Sequence, residues 1–367
     1  MRHSVLKDNL AARGATFTAR HGVEICAETK GFETEYAIVR DACGITDFSN
    51  CRIFTVPEET GIDFLDKLVA GNAARIRFGR VLHTFIADAA GNLVADCYIA
   101  NNDEEFVLVA ETIVSDEAFD AILAENGGAE AGLVDLTGTH AAITIDGYKA
   151  WAVVKEQFGA DVLGLPYLSI EMYEFDGEPV RFFRLGKTSE FGYLTILPVE
   201  KAPAFFDTLV GLAELQGGGA CGNLVHNNLR LEGRFFNIFA EGETVCEPLT
   251  LGLQWMIDFD KESFIGSEAI FAKRETGSSQ KIIGIKTDAK GDAIAAGTKV
   301  CDDTGEVATV VTSTWSPVLG ASVALALFPV EIAFAGLEFA MNDGTKVETI
   351  SMPPIIPKSL TVKLDEM

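Results

Sequence analysis

Asp96 stands inside an apolar run, Asn92 to Ala100, where a carboxylate must either be bonded to its surroundings or be employed in chemistry. Taken alone it reads as a strand acid bonded to backbone. Strand alternation puts Asp96 on one face with Val94 and Tyr98, and Leu93, Ala95 and Cys97 on the other. Glu190, framed by Gly192 and Tyr193, reads alone as a turn acid. Arg230 and Glu232 share a helix-like stretch and read as a structural ion pair. Two chemistries suit these types. A carboxylate accepts two donors from an amide–amine edge and manages the proton of an amine, while an arginine fork offers planar donors to carbonyl or carboxylate oxygens. His83 adds a group that titrates near neutrality. Cys97, the Phe235-Phe236 pair and Trp255 read as core.

These residues need a scaffold, and the chain is long enough to supply two or three domains: it has 367 residues, nearly half of them apolar. The formal charge of -25 repels phosphate backbones and anionic lipid, so neither nucleic acid nor a membrane surface is an expected partner. An anionic ligand needs a local basic patch, for which Arg75, Arg77 and Arg80 are candidates. The seven cysteines are scattered and form no CxxC pair, and the five histidines lack ligand spacing. No metal site is expected, and a cytoplasmic location is. Met1 to Leu10 carries charges and no apolar core, unlike a signal peptide. Val323 to Ala340 contains Pro329, Glu331 and Glu338, and reads as buried strands and a turn.

Arg52 to Val56 reads as a strand and Thr60 to Ala70 as an amphipathic helix with Phe64, Leu65 and Leu68 on one face. Leu82–Ala87, Asn92–Ala100 and Glu105–Ala110 read as an antiparallel meander. Ser115 opens a helix with Asp116 and Glu117 in its first turn. Tyr148 to Phe158 and Pro203 to Gln216 read as helices, and Ser169 to Leu185 as a hairpin around Asp176-Gly177. Glu275 to Gln280 is the linker candidate before a strand-rich final domain.

Several segments, in order, resemble the T-protein (aminomethyltransferase) family of the glycine cleavage system. Arg40 to Ser49, RDACGITDFS, is similar to "vR..aGl.DvS". Gly79 to Ile99 resembles a glycine-basic-x-x-Tyr stretch and a hairpin ending Gly-Gly-x-x-Asp-Asp-Leu. Arg184 to Ile196, RLGKTSEFGYLTI, resembles "RtGYtGEdGfEi". Asn228 to Lys261 with Phe264-Ile265-Gly266 resembles "tLRLEaG", "tPleaGLgW" and "FIG". Thr312 to Thr314, Ser316-Pro317 and Ala324 to Ala326 resemble "vTSg..SP" and "iALa".

The resemblance implies an α+β fold: a three-domain cloverleaf with two α+β domains around a central folate channel and a C-terminal small β-barrel. The expected boundaries are 1–50 with 138–245, 51–137 with 246–274, and 281–367. It implies tetrahydrofolate as one-carbon acceptor. It also implies a catalytic Asp96, matching the second aspartate of the Asp-Asp pair, and folate contacts at Glu190 and Arg230; beside these, His83 is a candidate catalytic group and Tyr98, on the face of Asp96, a candidate folate contact.

The chain departs from the pattern around the expected channel. The first aspartate of the pair is Ala95, the family tyrosine is His83, and the glutamate of "GfEi" is replaced near Leu194-Thr195. Arg234 stands where glycine is usual, and "vNA" reads Val109-Ala110-Glu111. His83 is either a new proton donor or a tyrosine substitute that keeps one hydrogen bond. Three functions follow: aminomethyl transfer from a lipoylated carrier protein to tetrahydrofolate; demethylation of a small O-, N- or S-methylated compound onto the same folate; or folate binding without catalysis. For the last, the Lys-Gly-Cys-x-x-Gly-Gln-Glu signature of such relatives is replaced by KESFIGSE at Lys261 to Glu268.

Overall fold

The computed structural model describes residues 2–20, 22–287 and 294–363. Strand Leu93–Asn102 is the organising element. It pairs antiparallel with Val81–Ala87 on one side and Glu105–Ile113 on the other, and Arg52–Pro57 and Val134–Asp135 extend the sheet to five strands. Asp103, at a φ of 62°, makes the tight turn between two of these strands. Helix Glu58–Leu68 lays Phe64, Leu65 and Leu68 on the outer face of the sheet, each contributing about 2 kcal/mol by burial. Helix Asp116–Glu125 adds Phe119 and Leu123; its N-cap is Ser115, whose Oγ accepts from the Ala118 N–H at 3.0 Å.

A second sheet runs Ser169–Phe175, Glu178–Arg184, Gly192–Pro198, His140–Asp146, Gly44–Asp47, Gly219–Cys221 and is antiparallel except for its last pair. The hairpin turns at Asp176 and Gly177, both at positive φ. Helices Ala150–Phe158 and Ala202–Leu215 cover the outer face with Val153, Phe205, Phe206 and Leu209. The inner faces of the two sheets meet through Ile53, Tyr98 and Val109 against Ile170, Phe183 and Leu194. The result is helices, sheet, sheet, helices: four layers, with the two sheets in the middle.

The C-terminal strands close a six-stranded barrel, following helix Ser267–Thr276 and the short connection before Gln280. Ile282, Val311 and Leu325 of the barrel share a core with Phe85 and Leu93. Val323 to Ala340 forms strand Ala321–Pro329, a single 3-10 turn and the start of strand Glu338–Met341. A hairpin, Thr16–Arg20 with Val23–Glu28, and helix Phe32–Asp41 precede the first sheet strand. No helix among the described residues is long and apolar enough to cross a membrane.

Two expectations about side-chain placement need correction. Val94 does not share the face of Asp96; it packs with Ala95 and Cys97 in the core under the sheet. The cause is a bulge: Ile86 pairs with Ala95 and Ala87 with Leu93, so Val94 has no partner and the alternation slips there. Leu93 accordingly joins the barrel-side core instead. Trp255 is not core: it is 60% exposed and turns its edge to His83.

Candidate active site

A second bulge builds the site. On the other side of strand Leu93–Asn102, Asp96 pairs with Thr112 and Cys97 with Ala110, which leaves Glu111 as the extra residue. Glu111 continues the inward alternation of Val107 and Val109 and points to the inner face, where Asp96 and Tyr98 also lie. The loop 185–191 of the second sheet brings Lys187 to the same place. That loop passes close to its own strand: a Cβ on Gly186 would meet the Gly192 Cα at 2.8 Å and Asp146 Oδ1 at 2.9 Å. Glycine at both positions lets the loop close.

Lys187 Nζ lies 2.5 Å from Asp96 Oδ2 and 2.7 Å from Glu111 Oε2. His83 Nε2 lies 2.8 Å from Asp96 Oδ1, and its ring stacks on Tyr98 with centroids 4.3 Å apart. Both oxygens of the fully buried Asp96 are therefore taken. Burial pushes the Asp96 carboxyl up, but the Lys187 ammonium and His83 outweigh it and hold it down at about 2. Burial pulls Lys187 down, and the two carboxylates more than reverse this, so it stays charged. Burial holds His83 below the usual imidazole range despite Asp96; the neutral ring donates Nε2–H to the carboxylate. Glu111 moves the other way: burial raises it, against the pull of Lys187.

Tyr98, Glu111 and Lys187 line a cavity between the two sheets, which Arg230 of helix Asn223–Glu232 and Arg20 and Ile25 of the first hairpin complete. In a strongly acidic protein its wall carries Arg2, Arg20, Lys187 and Arg230 against Glu111, Asp116 and Asp146. That supplies the local basic patch an anionic ligand needs. Arg75, Arg77 and Arg80 lie outside the cavity; Arg75 pairs instead with Asp258 at 3.7 Å. Two further titratable groups face the cavity. Burial raises Asp146 to about 7 and lowers His226 to about 4. They stand 3.9 Å apart, and His226 Nε2 is 2.8 Å from Thr46 Oγ1.

Several buried side-chain atoms on this wall have no hydrogen-bond partner: Tyr98 Oη, Thr112 Oγ1, Thr144 Oγ1, Arg230 Nη2, Asn50 Oδ1 and Arg2 Nε. Orphaned buried polar atoms are costly and uncommon, and their gathering in residues around one cavity fits a polar ligand with several donors and acceptors. The rest of Arg230 is committed: Nη1 holds Glu241 at 2.9 Å and the Phe235 carbonyl at 3.0 Å, and Nε holds Asn227.

The expected site residues thus fall into three places. Asp96, His83 and Tyr98 form one cluster, and Arg230 joins Tyr98 at the cavity wall; Asp96 and His83 sit behind that wall. Glu190 is elsewhere. Its carboxylate pairs with Arg40 at 3.1 Å and accepts the backbone N–H groups of Lys358 and Ser359. Glu232 is not the partner of Arg230; it pairs with Arg40 at 2.6 Å and accepts from the Tyr36 hydroxyl. Two positions apart on helix Asn223–Glu232, the two side chains point to opposite sides and each meets a different buried partner. Lys187, Asp146 and His226 escaped the sequence reading. Lys187 had a signal: it stands at the tyrosine of "RtGYtGE". With His83 and Glu111 it makes three departures from the quoted patterns, and all three meet around Asp96.

The comparisons with known proteins agree with this architecture. The chain is 26% identical over 325 residues to the aminomethyltransferase of Desulfitobacterium hafniense (strain Y51), covering 88% of each chain. It is 27% identical over 364 residues to the aminomethyltransferase of Mycobacterium leprae (strain TN), covering 96% of each. The crystal structure of glycine cleavage system aminomethyltransferase T from Bartonella henselae superposes with a TM-score of 0.82 at 21% identity, over 97% of this chain and 98% of that one, so the two share a fold. The family model described as GCVT N-terminal domain matches residues 6–261, and the chain belongs to the glycine cleavage T-protein family.

Proposed function

We propose that the protein is a one-carbon transferase that moves an aminomethyl or methyl unit to tetrahydrofolate held in the cavity between the two sheets. The carrying observation is the set of unpartnered buried atoms on the wall, in a chain of this family. Tyr98 Oη, Thr112 Oγ1, Thr144 Oγ1 and Arg230 Nη2 are the groups that would hold the ring system, and Arg2 and Arg20 suit the carboxylates of its tail. When bound, the reduced folate supplies the nucleophilic amine that accepts the carbon. The chain's own part is to orient that amine, to exclude water between the sheets and to manage its proton. Glu111 and Lys187 face the cavity where this work is done, and Asp96, itself held by His83, fixes Lys187 from behind. Free cysteines throughout suit the cytoplasm.

The donor divides the proposal in two. The family relatives favour an aminomethyl group on a lipoylated carrier protein. The cluster of His83, Lys187 and Glu111 favours a small methylated donor, because all three depart from the family pattern around one carboxylate, Asp96.

Calorimetry tests the shared part. Tetrahydrofolate should bind saturably, and Tyr98→Phe should weaken binding about tenfold, equal to one hydrogen bond of ~1.4 kcal/mol. That variant leaves the fold intact, since the hydroxyl bonds nothing else among the described residues. Absence of binding at millimolar folate would sink the proposal.

A further inference from the structure

Asp96 is the carboxylate that the family pattern singles out, yet its position argues against direct contact with a ligand. It has no exposed surface, both its oxygens are bonded to other side chains, and it does not line the cavity. Glu111 differs on every point. It lines the cavity, and its side chain retains 11% exposure. Of its described contacts, one is the Lys187 ammonium at 2.7 Å. Glu111 is the unpaired residue of the bulge, and the inward alternation of Val107 and Val109 continues to it. Lys187 sits between the two carboxylates, so the buried one fixes the ammonium and the ammonium fixes the exposed one.

We infer that Glu111 is the residue that takes and returns the proton in one-carbon transfer, and that Asp96 is a positioning residue acting on it through Lys187. The inference rests on the one-carbon-transfer reading of the cavity. With a methyl donor, a bond forms between the transferred carbon and the acceptor amine nitrogen. The bond from that carbon to the donor heteroatom breaks, with its electron pair on the heteroatom. The proton shed by the amine passes to the Glu111 carboxylate. A neutral donor, such as an ether or amine, takes that proton back on its departing heteroatom. A cationic donor departs neutral, and the proton leaves to solvent. With an aminomethyl donor a second folate nitrogen bonds the same carbon afterwards, the carbon–nitrogen bond of the donor breaks, and the second folate proton leaves with the released ammonia.

The surroundings of Glu111 suit a carboxyl that exchanges protons. Lys187 and Arg230 favour its anion; Asp96 on the neighbouring strand, burial, and Asp146 across the cavity oppose it, and the Tyr98 and Tyr167 hydroxyls lie nearby. Asp96 and Glu111 are driven in opposite directions, one held as an anion against burial by Lys187 and His83 and one raised by burial, which is the pattern of two carboxylates with two roles.

The test compares wild type, Glu111→Gln and Asp96→Asn by two readouts. The first is calorimetry of tetrahydrofolate in two buffers of different ionisation heat, which counts protons exchanged on binding. The second is the pH profile of kcat/KM with whichever donor the wild type accepts. Glu111→Gln should keep folate affinity within about threefold, lose the linked proton, and lose on the order of 100-fold in turnover together with the acid limb of the profile. Asp96→Asn should lose turnover but retain the acid limb. A Glu111→Gln enzyme that keeps wild-type turnover, or that slows with its acid limb and linked proton intact, would overturn the assignment. Failure of the wild type to bind folate at all would instead remove the reading on which it rests.

Discussion

Lys187 Nζ lies 2.5 Å from Asp96 Oδ2, across 91 residues of sequence and across the interface of two sheets. Asp96 belongs to the five-stranded sheet and Lys187 to a loop of the six-stranded one. The ion pair therefore joins the two halves of the molecule at the edge of their shared core. Both side chains are nearly closed to water, so the pair's charges are compensated by each other, by Glu111 and by His83.

Lys187→Met should destabilise the protein by about 3–5 kcal/mol at pH 7, because it leaves Asp96 buried without its countercharge. The loss should shrink as pH falls, when the abandoned carboxylates take up protons. Urea unfolding at several pH values measures this. A loss under about 1 kcal/mol at pH 7 would mean that the pair is solvated and the cluster looser than described.

Asp146 gives a pH signature of defined sign. Burial raises its folded value to about 7, above the ordinary carboxyl range. Its contribution to stability is fully present below about pH 4 and is lost as pH rises through about 7. His226 has the opposite sense: it is lowered to about 4, so its contribution is present above the ordinary imidazole range and is lost as pH falls through 4. The two oppose each other in wild type, and the difference between wild type and Asp146→Asn isolates the first. The asparagine variant should gain stability relative to wild type between pH 4 and 7.5. A constant difference over that range would show that Asp146 is not titrating there.

Glu190 ties the C-terminal segment to the body of the protein through the backbone N–H groups of Lys358 and Ser359. Glu190→Gln should weaken the Arg40 pair and speed limited proteolysis near residue 358, while folate affinity changes by less than about threefold. If folate affinity drops tenfold or more with proteolysis unchanged, Glu190 is a ligand contact, as the family resemblance implies.

Local chemistry was readable wherever it depended on neighbours in sequence. The Ser115 cap, the Asp176-Gly177 turn and the Phe64, Leu65, Leu68 stripe each need only a few adjacent residues. The cluster around Asp96 was readable in pieces. His83 and Glu111 stood out one by one as departures from the family pattern, but nothing in the chain says that they share a partner with Lys187. Two bulges on neighbouring strands hid the rest: alternation cannot register an extra residue, so it puts Val94 on the wrong face, and a strand read as Glu105–Ala110 stops short of Glu111. Arg230 and Glu232 failed for a related reason. Short-range spacing suggested a pair, whereas Glu241 and Arg40 are brought close by the fold.

Transfer of a one-carbon unit to tetrahydrofolate is decided by the folate product it leaves. Purified protein is incubated with tetrahydrofolate and either an aminomethyl-loaded lipoyl carrier or a panel of O-, N- and S-methylated small molecules. The folate products are then resolved by mass. Methylene- or methyltetrahydrofolate should form from one donor class, with His83→Tyr slowing the small-molecule reaction if that class is the donor. Saturable folate binding with no folate product from either class would contradict it and leave a folate-binding protein without transferase activity.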